Sequence, residues 1–220
     1  MGEHRSFWRW LTLPAAEPGT PQDYFARLPD IETPRLILRR VTLRDAEDMY
    51  RYACDPEVAR HVLWDAHTSV WETRAYIRFL LSQYRNGMPG SWVIVLRETN
   101  RVVGTIGYMN YSADHNTAEL GYSLSRACWG QGLMTEALKA VLDSAFRVLR
   151  LHRAEAMHFT DNPASGRVME KCGMRHEGRL RGRICCKGVF RDVEMWGMLR
   201  SDWESLRNSD LGIRNSEFRL

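Results

Sequence analysis

The sequence predicts one α/β domain with a short extra segment at its N-terminal end. Its 220 residues are enough to bury a real core, and a composition of 44% hydrophobic and 26% charged residues is ordinary for a globular protein. Segments with the two-residue apolar alternation of strands lie between segments whose apolar residues recur at helical spacing. This interleaving of the two patterns, without an internal repeat, is typical of α/β domains.

The order of these segments is strand, two helices, three strands, helix, strand, helix and two strands. The predicted strands cover 35–39, 91–97, 101–110, 118–124 and 152–160, followed by two on either side of Lys187-Gly188 that end at Leu199. The predicted helices cover 45–52, 70–85, 133–149 and 163–171. We place the domain at residues 33–203, after an irregular, Pro-rich arm at 1–32 and before a polar tail at 204–220 that we expect to be disordered.

Charge, cysteine content and hydropathy narrow the classes of function. The net charge of +4, with a pI near 8.9, is compatible with an anionic ligand, but nucleic-acid binders usually concentrate more charge on one face. The five cysteines are odd in number and include no CxxC pair, so we expect neither a disulfide framework nor a metal site, and a reducing cytoplasm as the location. The longest apolar run is too short for a membrane helix and no secretory signal is recognisable, so we expect no membrane association.

The clearest functional signal is a glycine loop, Trp129–Gly132 (WGQG), which leads from a predicted strand into a helix. Glycine lets the backbone approach a ligand closely, and the first turn of a helix leaves N–H groups free to bind an anion. A phosphate or pyrophosphate is therefore the expected ligand. A P-loop would need GxxxxGKS/T, and a dinucleotide fingerprint would need a third glycine where Thr135 stands. A glycine turn that only reverses the chain is an equally good interpretation of this loop alone.

The segments on either side of the loop carry polar side chains at defined positions. Alternation in the preceding strand divides its side chains between two faces, with Glu119, Gly121 and Ser123 on one and Ala118, Leu120, Tyr122 and Leu124 on the other. Farther along the chain, Asn162 and Pro163 form a clear helix start with Ser165 in its first turn. A carboxylate therefore lies on the strand before the anion loop, and a hydroxyl lies at the start of the next helix.

Four segments together resemble the general N-acetyltransferase (GNAT) superfamily, and within it the RimJ/RimL type that acetylates the N-terminal alanine of ribosomal proteins. They are ETPRLILRRVTLRDAEDMY from Glu32, AELGYSL from Ala118, WGQGLMTEAL from Trp129, and NPASGRVMEKCGM from Asn162 with the following HEGRLRG. The resemblance extends from about Thr33 to Trp203. It implies a mixed, twisted central sheet with helices on both faces, acetyl-CoA as the acetyl donor and a primary amine as the acceptor.

The resemblance also implies where the donor lies. Its pantetheine would enter a V-shaped opening between the Glu119 strand and strand 152–160, and its pyrophosphate would bind backbone amides of roughly Trp129 to Met134. The coenzyme-binding residues implied in this way are Leu120, Tyr122, Leu124, Trp129, Gly130, Gln131, Gly132, Leu133, Met134, Thr135 and Asn162. Trp129 and Met134 depart from the superfamily pattern Arg/Gln-x-x-Gly-x-Gly/Ala, and we expect Met134 to crowd the loop. Tyr108 and Asn110, with helices 45–52 and 70–85, are expected to border the amine pocket.

Acetyl transfer to an amine requires a base for the amine proton and an acid for the departing thiolate. Glu119 is the candidate base, directly or through water, and the alternative is a carboxylate held in a salt bridge. Ser165 is the candidate acid, by resemblance to members with serine after Asn-x-x, and the alternative is a serine that only stabilises its helix start or contacts the coenzyme. No tyrosine follows Tyr122, so the tyrosine acid used elsewhere in the superfamily has no counterpart here.

These features combine into the hypothesis of an N-acetyltransferase that acts on the N-terminal amine of a protein, such as a ribosomal protein. Two alternatives stay open: an acetyltransferase of a small amine, such as an antibiotic or polyamine, and a non-catalytic acyl-CoA-binding module. An RNA-binding protein is a further alternative that rests on one basic stretch, which is more often a solvated face, so any contact with nucleic acid is expected to be indirect. The stretch comprises Arg179, Arg181, Arg183, Lys187 and Arg191.

Overall fold

The computed structural model describes residues 19–217, and the side chains of residues 19–209. Its strands are β1 (Ile31–Glu32), β2 (Leu36–Arg40), β3 (Ser91–Leu96), β4 (Arg101–Ser112), β5 (Thr117–Leu124), β6 (Arg153–Phe159), β7 (Arg175–Cys186) and β8 (Val189–Leu199). Its helices are α1 (Pro21–Arg27), α2 (Ala46–Ala53), α3 (Pro56–Ala59), α4 (Val70–Arg85), α5 (Leu133–Arg147), α6 (Pro163–Lys171) and α7 (Arg200–Glu217). Apart from α1, α3, α7 and the two-residue β1, these elements follow the predicted order.

The strands of the described region form one sheet in the order β1-β2-β3-β4-β5-β6-β8-β7. Every neighbouring pair is antiparallel except β5 and β6, which run parallel. The chain passes through α5 between these two strands, because a parallel pair needs a crossover connection. The prediction of a mixed sheet is confirmed, with antiparallel pairs in the majority.

β5 and β6 separate at their C-terminal ends. Their pairing joins Thr117–Leu120 to Arg153–Ala156 and then stops, although β5 continues to Leu124 and β6 to Phe159. The backbone N–H and C=O groups that face this gap are therefore left to a ligand that enters it. This divergence is the V-shaped opening that the resemblance implies.

Helices cover both faces of the sheet, and the contacts of two neighbouring β5 side chains show which helices lie on which face. Tyr122 points toward α6, where its hydroxyl oxygen lies 2.9 Å from Ser165 Oγ. The next residue, Ser123, points to the opposite face and toward Tyr52 of α2. The buried side of α5 covers the first face beside α6, while α2 and α4 pack together on the second.

Within the described part of the predicted irregular arm, residues 19–32, the chain forms the helix α1 and the short strand β1. Thr20 caps this helix by accepting a hydrogen bond from the backbone, and Pro21 occupies the first helical position, where an N–H would have no helical partner. Tyr24 and Phe25 are each 1% exposed and belong to the main core. The aromatic side chains therefore tie this segment to the domain.

The helix α7 likewise occupies most of the segment predicted to be a disordered polar tail. Trp203 in its first turn is buried and stacks on Phe146 of α5, with ring centroids 5.7 Å apart, so the start of the helix is anchored to the core. Residues 1–18 and 218–220 lie outside the described part of the chain, and the predictions made for them stay predictions. None of the helices between residues 19 and 217 is long and apolar enough to cross a membrane.

Candidate active site

The glycine loop (Trp129–Gly132) has a backbone shape that glycine adopts most easily. Gly130 and Gly132 both have φ of +74°, in the left-handed region, and Gly132 is the N-cap of α5. A Cβ on Gly130 would meet no described atom within 4 Å, and one on Gly132 would meet Arg35 Nη2 at 3.6 Å. The outer surface of the loop is therefore open at Gly130, and the first-turn amides of α5 are the groups that an anion would bind there.

The side chains that follow the loop point into the protein rather than toward this space. Leu133 and Met134 are buried in the core, so the expectation that Met134 crowds the loop is wrong. The half-exposed Trp129 donates its indole N–H to the Leu124 carbonyl at 2.8 Å. A coenzyme on this loop would meet backbone amides and the Trp129 ring.

Several other predicted coenzyme residues contribute backbone rather than side chain at this place. Leu120 and Leu124 are buried in the core, so their side chains do not reach a ligand in the gap between β5 and β6. The Gln131 side chain turns back to donate to the Ala127 carbonyl at 2.8 Å. The Thr135 carbonyl accepts from the Cys172 thiol at 3.5 Å, which joins α5 to α6.

The hydroxyl groups of Tyr122 and Ser165 meet at the open end of β5. Their oxygens lie 2.9 Å apart, and the Tyr122 hydroxyl also donates to the Ser165 carbonyl at 3.2 Å. Asn162 caps α6 as predicted, accepting from the Ser165 amide at 3.4 Å. Burial raises the pKa of Tyr122, so its hydroxyl stays protonated at neutral pH. Both residues are predicted from the sequence, but their contact is not, because they are 43 positions apart.

Glu119 lies on the other face of β5, near the point where pairing with β6 ends. It is opposite Asn110 of β4, beside a bulge at Met109, and opposite Glu155 of β6. Burial raises the pKa of Glu119, the Glu155 carboxylate raises it further, and Arg183 partly opposes this shift. Within residues 19–209 no hydrogen bond or ion pair engages the Glu119 carboxylate, so the salt bridge considered as an alternative is absent there. A partly buried carboxylate of this kind is suited to accept a proton.

Glu155 differs from Glu119 because it has a counter-ion. Its carboxylate accepts from Arg153 Nε at 2.6 Å, and Arg153 also bridges to Glu177. Of the two facing carboxylates, Glu119 is therefore the one without an ion-pair partner in the described residues. No group of three or more His, Cys, Asp and Glu side chains in the described region could hold a metal ion.

The candidate base and acid lie on opposite faces of β5, on the two sides of the gap. Glu119 shares the face of α2, and Ser165 shares the face of α5 and α6. A thioester carbonyl in the gap could be attacked by an amine from the Glu119 side while the sulfur departs toward Ser165. The geometry suits group transfer between two substrates that enter from different sides.

The β7–β8 hairpin reaches across to α3, on the side of the sheet that carries α2. Lys187 Nζ donates to the Ala59 carbonyl at 2.8 Å, and Cys186 Sγ donates to the Val62 carbonyl at 3.5 Å. These contacts close one end of the surface on the Glu119 side. They also fix the part of the hairpin that carries the basic stretch.

A cleft of about 550 Å³ lies between the end of α2 and the turn before the glycine loop. It is lined by Arg51, Tyr52, Asp55, Ser125, Arg126 and Ala127. An ion pair of 2.9 Å between Asp55 and Arg126 joins its two walls. Tyr108 is instead buried, with its hydroxyl 3.0 Å from that of Tyr24, so the prediction that it lines the amine pocket is wrong.

A cluster of hydrogen bonds that the sequence did not indicate holds the glycine loop against the segment around Arg35. Glu136, in the first turn of α5, accepts hydrogen bonds from Thr33 and Arg35, and Arg35 donates to the Gln131 carbonyl. Both partners lie in segments that carry the family resemblance, TPRL and GLMTEAL. Sequence position alone gave no signal that these two segments touch.

Comparisons with known proteins identify the family of the chain. A family model described as "Acetyltransferase (GNAT) domain" matches residues 35–175. The chain is 32% identical over 171 residues to an uncharacterized N-acetyltransferase, p20, of Bacillus licheniformis, covering 78% of this chain and 96% of the relative. It is 25% identical over 192 residues to the ribosomal protein uS5-alanine N-acetyltransferase of Escherichia coli strain K12, covering 82% and 96%.

Solved structures extend the comparison to the fold and the coenzyme. An acetyltransferase of the GNAT family from Bacillus anthracis matches with a TM-score of 0.70 and 27% identity over 78% of this chain and 99% of its own. RimL, a ribosomal L7/L12 α-N-protein acetyltransferase solved in complex with coenzyme A, has the same fold, with a TM-score of 0.68 and 22% identity over 76% and 95%. The chain therefore belongs to the GNAT acetyltransferase family and uses acetyl-CoA, the donor of that family, as its acetyl donor.

Proposed function

We propose that this enzyme acetylates the N-terminal α-amine of a protein, of the kind that ribosomal proteins present. The observation that carries the proposal is the basic character of the hairpin beside Glu119. Arg181 and Arg183 are exposed, and neither has a hydrogen bond or ion pair in the described residues. An acceptor with several positive charges would be repelled here, whereas the single amine of a neutral or acidic polypeptide would not.

The relatives support the same class of acceptor. The Escherichia coli relative is named for the N-terminal alanine of ribosomal protein uS5, and RimL is named for ribosomal L7/L12. Polyamines and many amine antibiotics are polycations, so the basic hairpin disfavours the small-amine alternative. We also propose that the enzyme works in the cytoplasm, which the free thiols of its five cysteines support.

In the proposed reaction Glu119 is the base on the acceptor side. The amine nitrogen attacks the thioester carbonyl carbon, so a C–N bond forms and the C–S bond breaks. Glu119 accepts the proton that the nitrogen loses, directly or through one water. Its raised pKa makes Glu119 a stronger base than an ordinary glutamate.

Ser165 acts on the sulfur that leaves. Its hydroxyl donates a hydrogen bond to the departing thiolate and passes a proton to it, which the hydroxyl recovers from solvent. Tyr122 orients this hydroxyl, because its own oxygen lies 2.9 Å from Ser165 Oγ, and when Tyr122 donates to Ser165 Oγ the serine hydrogen is free to point to the sulfur. The pair therefore acts on the far side of the gap from Glu119.

Ser165→Ala is expected to lower kcat about 10-fold to 100-fold while leaving the Kd for coenzyme A within about twofold, since one acid-base contact is lost. Steady-state kinetics and calorimetry measure the two effects. A thioester donor whose thiol has a lower pKa should reduce the deficit, because its sulfur leaves without help. Tyr122→Phe is the matched variant and should give a smaller deficit of the same kind. Equal deficits with both donors would contradict the acid role of Ser165.

The acceptor class is tested by thiol release from acetyl-CoA with a panel of amines. We expect release with peptides that begin with Ala or Ser, and a higher kcat/KM for acidic than for basic peptides of equal length. Arg181→Glu combined with Arg183→Glu should reverse this charge preference. Release with polyamines alone would overturn the proposal, and release with RNA-bound acceptors alone would place the hairpin against nucleic acid.

A further inference from the structure

We propose that Arg35 and Glu136 form a clamp that holds the glycine loop in the shape that receives the phosphates of acetyl-CoA. In this role Arg35 is a positioning residue for the donor. The inference depends on the donor and not on the proposed acceptor, so the two can fail separately.

The clamp is made of four hydrogen bonds between segments about 100 positions apart in the chain. Glu136 Oε1 accepts from Thr33 Oγ1 at 2.6 Å and from the Arg35 amide at 2.9 Å, and Glu136 Oε2 accepts from Arg35 Nε at 2.7 Å. Arg35 Nη1 then donates to the Gln131 carbonyl at 2.9 Å. Glu136 is 8% exposed, so these contacts are largely shielded from water and salt.

The clamp contacts the loop at Gln131, whose neighbours on both sides restrict the backbone little. Gln131 stands between Gly130 and Gly132, which both have φ of +74° and carry no side chain to restrict them. Glycine pairs of this kind leave a loop with many accessible shapes, and only one of them presents the amides to a ligand. A guanidinium bonded to the carbonyl between the two glycines selects one shape before the ligand arrives.

The clamp also compensates the negative charge that Glu136 would place beside the bound phosphates. An isolated carboxylate in the first turn of α5 would repel the phosphates that the same helix end attracts. The ion pair with Arg35 compensates the Glu136 charge, and the guanidinium, 48% exposed, faces the loop with Nη2 at 3.6 Å from the position of a Gly132 Cβ. The net field beside the loop therefore favours an anion.

A comparison of acetyl-CoA with a shorter acetyl donor separates this role from a general contribution to folding. Arg35→Gln is expected to raise the KM for acetyl-CoA and the calorimetric Kd for coenzyme A about tenfold, with kcat and the acceptor KM nearly unchanged, because one charge-assisted contact is lost. The kcat/KM for S-acetylpantetheine, which lacks the phosphates and the nucleotide, should stay at the wild-type value. A merely structural residue would lower the rates with both donors equally.

Three further variants and one control complete the test. Glu136→Gln should weaken coenzyme A binding to a similar extent, and the double variant should be no worse than either single one, because the two residues act as one unit. Arg35→Lys keeps the positive charge but loses the two-pronged guanidinium, so its coenzyme A affinity should lie between those of the wild type and Arg35→Gln. This variant provides the test if Arg35→Gln does not fold. The matched control is Arg97→Gln. Arg97 donates to the Thr33 carbonyl at 2.8 Å and pairs with Glu32 but makes no contact with the loop.

Coenzyme A affinity should therefore be unchanged in Arg97→Gln. Unchanged affinity in folded Arg35→Gln, Arg35→Lys and Glu136→Gln would overturn the clamp. So would a loss with S-acetylpantetheine as large as the loss with acetyl-CoA.

Discussion

Glu119→Gln is expected to lower kcat/KM for acetyl transfer about 100-fold to 10,000-fold, the typical contribution of a positioned general base. The amide keeps the size of the side chain but cannot take the amine proton. The Kd for coenzyme A should stay near the wild-type value, because Glu119 is on the face of β5 away from Ser165 and is not part of the glycine loop. Steady-state kinetics with the best acceptor and calorimetry with coenzyme A measure the two quantities.

The pH dependence gives a second readout for the same residue. The acid limb of the kcat/KM profile reports the ionisation of the base in the free enzyme, and activity rises as pH rises through its pKa. Because burial and Glu155 raise the pKa of Glu119, the midpoint of its limb should lie above the usual range of a glutamate. This limb should vanish in Glu119→Gln, which leaves only the limb set by ionisation of the acceptor amine. Glu155→Gln is the matched control. It removes the like charge, so it should move the midpoint to lower pH and leave a clear limb.

Stability measurements separate loss of chemistry from loss of fold. A carboxyl whose pKa is raised in the folded state contributes stability below its unfolded pKa, and this contribution is lost as pH rises through the folded pKa. Glu119→Gln should therefore match the wild type in acid and be at least as stable near neutral pH. Unchanged turnover in this folded variant would show that Glu119 is not the base.

Local sequence patterns were sufficient to place the residues of this site on their elements. The alternation in β5 put Glu119 and Tyr122 on opposite faces, and the structure confirms it because the strand is regular through this stretch. The glycine loop was recognisable because two left-handed residues before a helix demand glycine. Asn162 was recognisable as a cap because capping depends on neighbouring residues alone.

What the sequence did not reveal depends on contacts between distant segments. The Arg35–Glu136 clamp and the Tyr122–Ser165 pair are set by the packing of α5 and α6 on the sheet, which no local periodicity encodes. Met134 departs from the family pattern without effect on the loop, because the turn of α5 directs its side chain to the core. The direction of a side chain on a helix depends on how the helix is rotated against the sheet. The family pattern alone therefore did not predict where the Met134 side chain points.

Phe25→Ala is expected to lower the free energy of unfolding by about 3–5 kcal/mol, the cost of emptying a buried aromatic site. The Phe25 ring is 1% exposed and packs edge-on against Tyr24, Tyr108 and Tyr111 at centroid distances of 5.5, 5.4 and 5.4 Å. Its loss leaves a cavity between α1 and β4 that the surrounding rings cannot fill without leaving their own contacts. Urea denaturation followed by tryptophan fluorescence measures the change.

The matched control for this prediction is Arg27→Ala on the same helix, because Arg27 is exposed. A substitution there should change the free energy of unfolding by no more than about 0.5 kcal/mol. The β4 residues under Phe25 pair with β5 on both sides of Glu119, since Tyr108 is opposite Leu120 and Tyr111 is opposite Ala118. A loosened α1 should therefore lower kcat at temperatures where Phe25→Ala is still folded. If Phe25→Ala lowers the free energy of unfolding by as little as the control does, α1 does not unfold cooperatively with the domain. The domain would then begin near residue 33, as the sequence predicts.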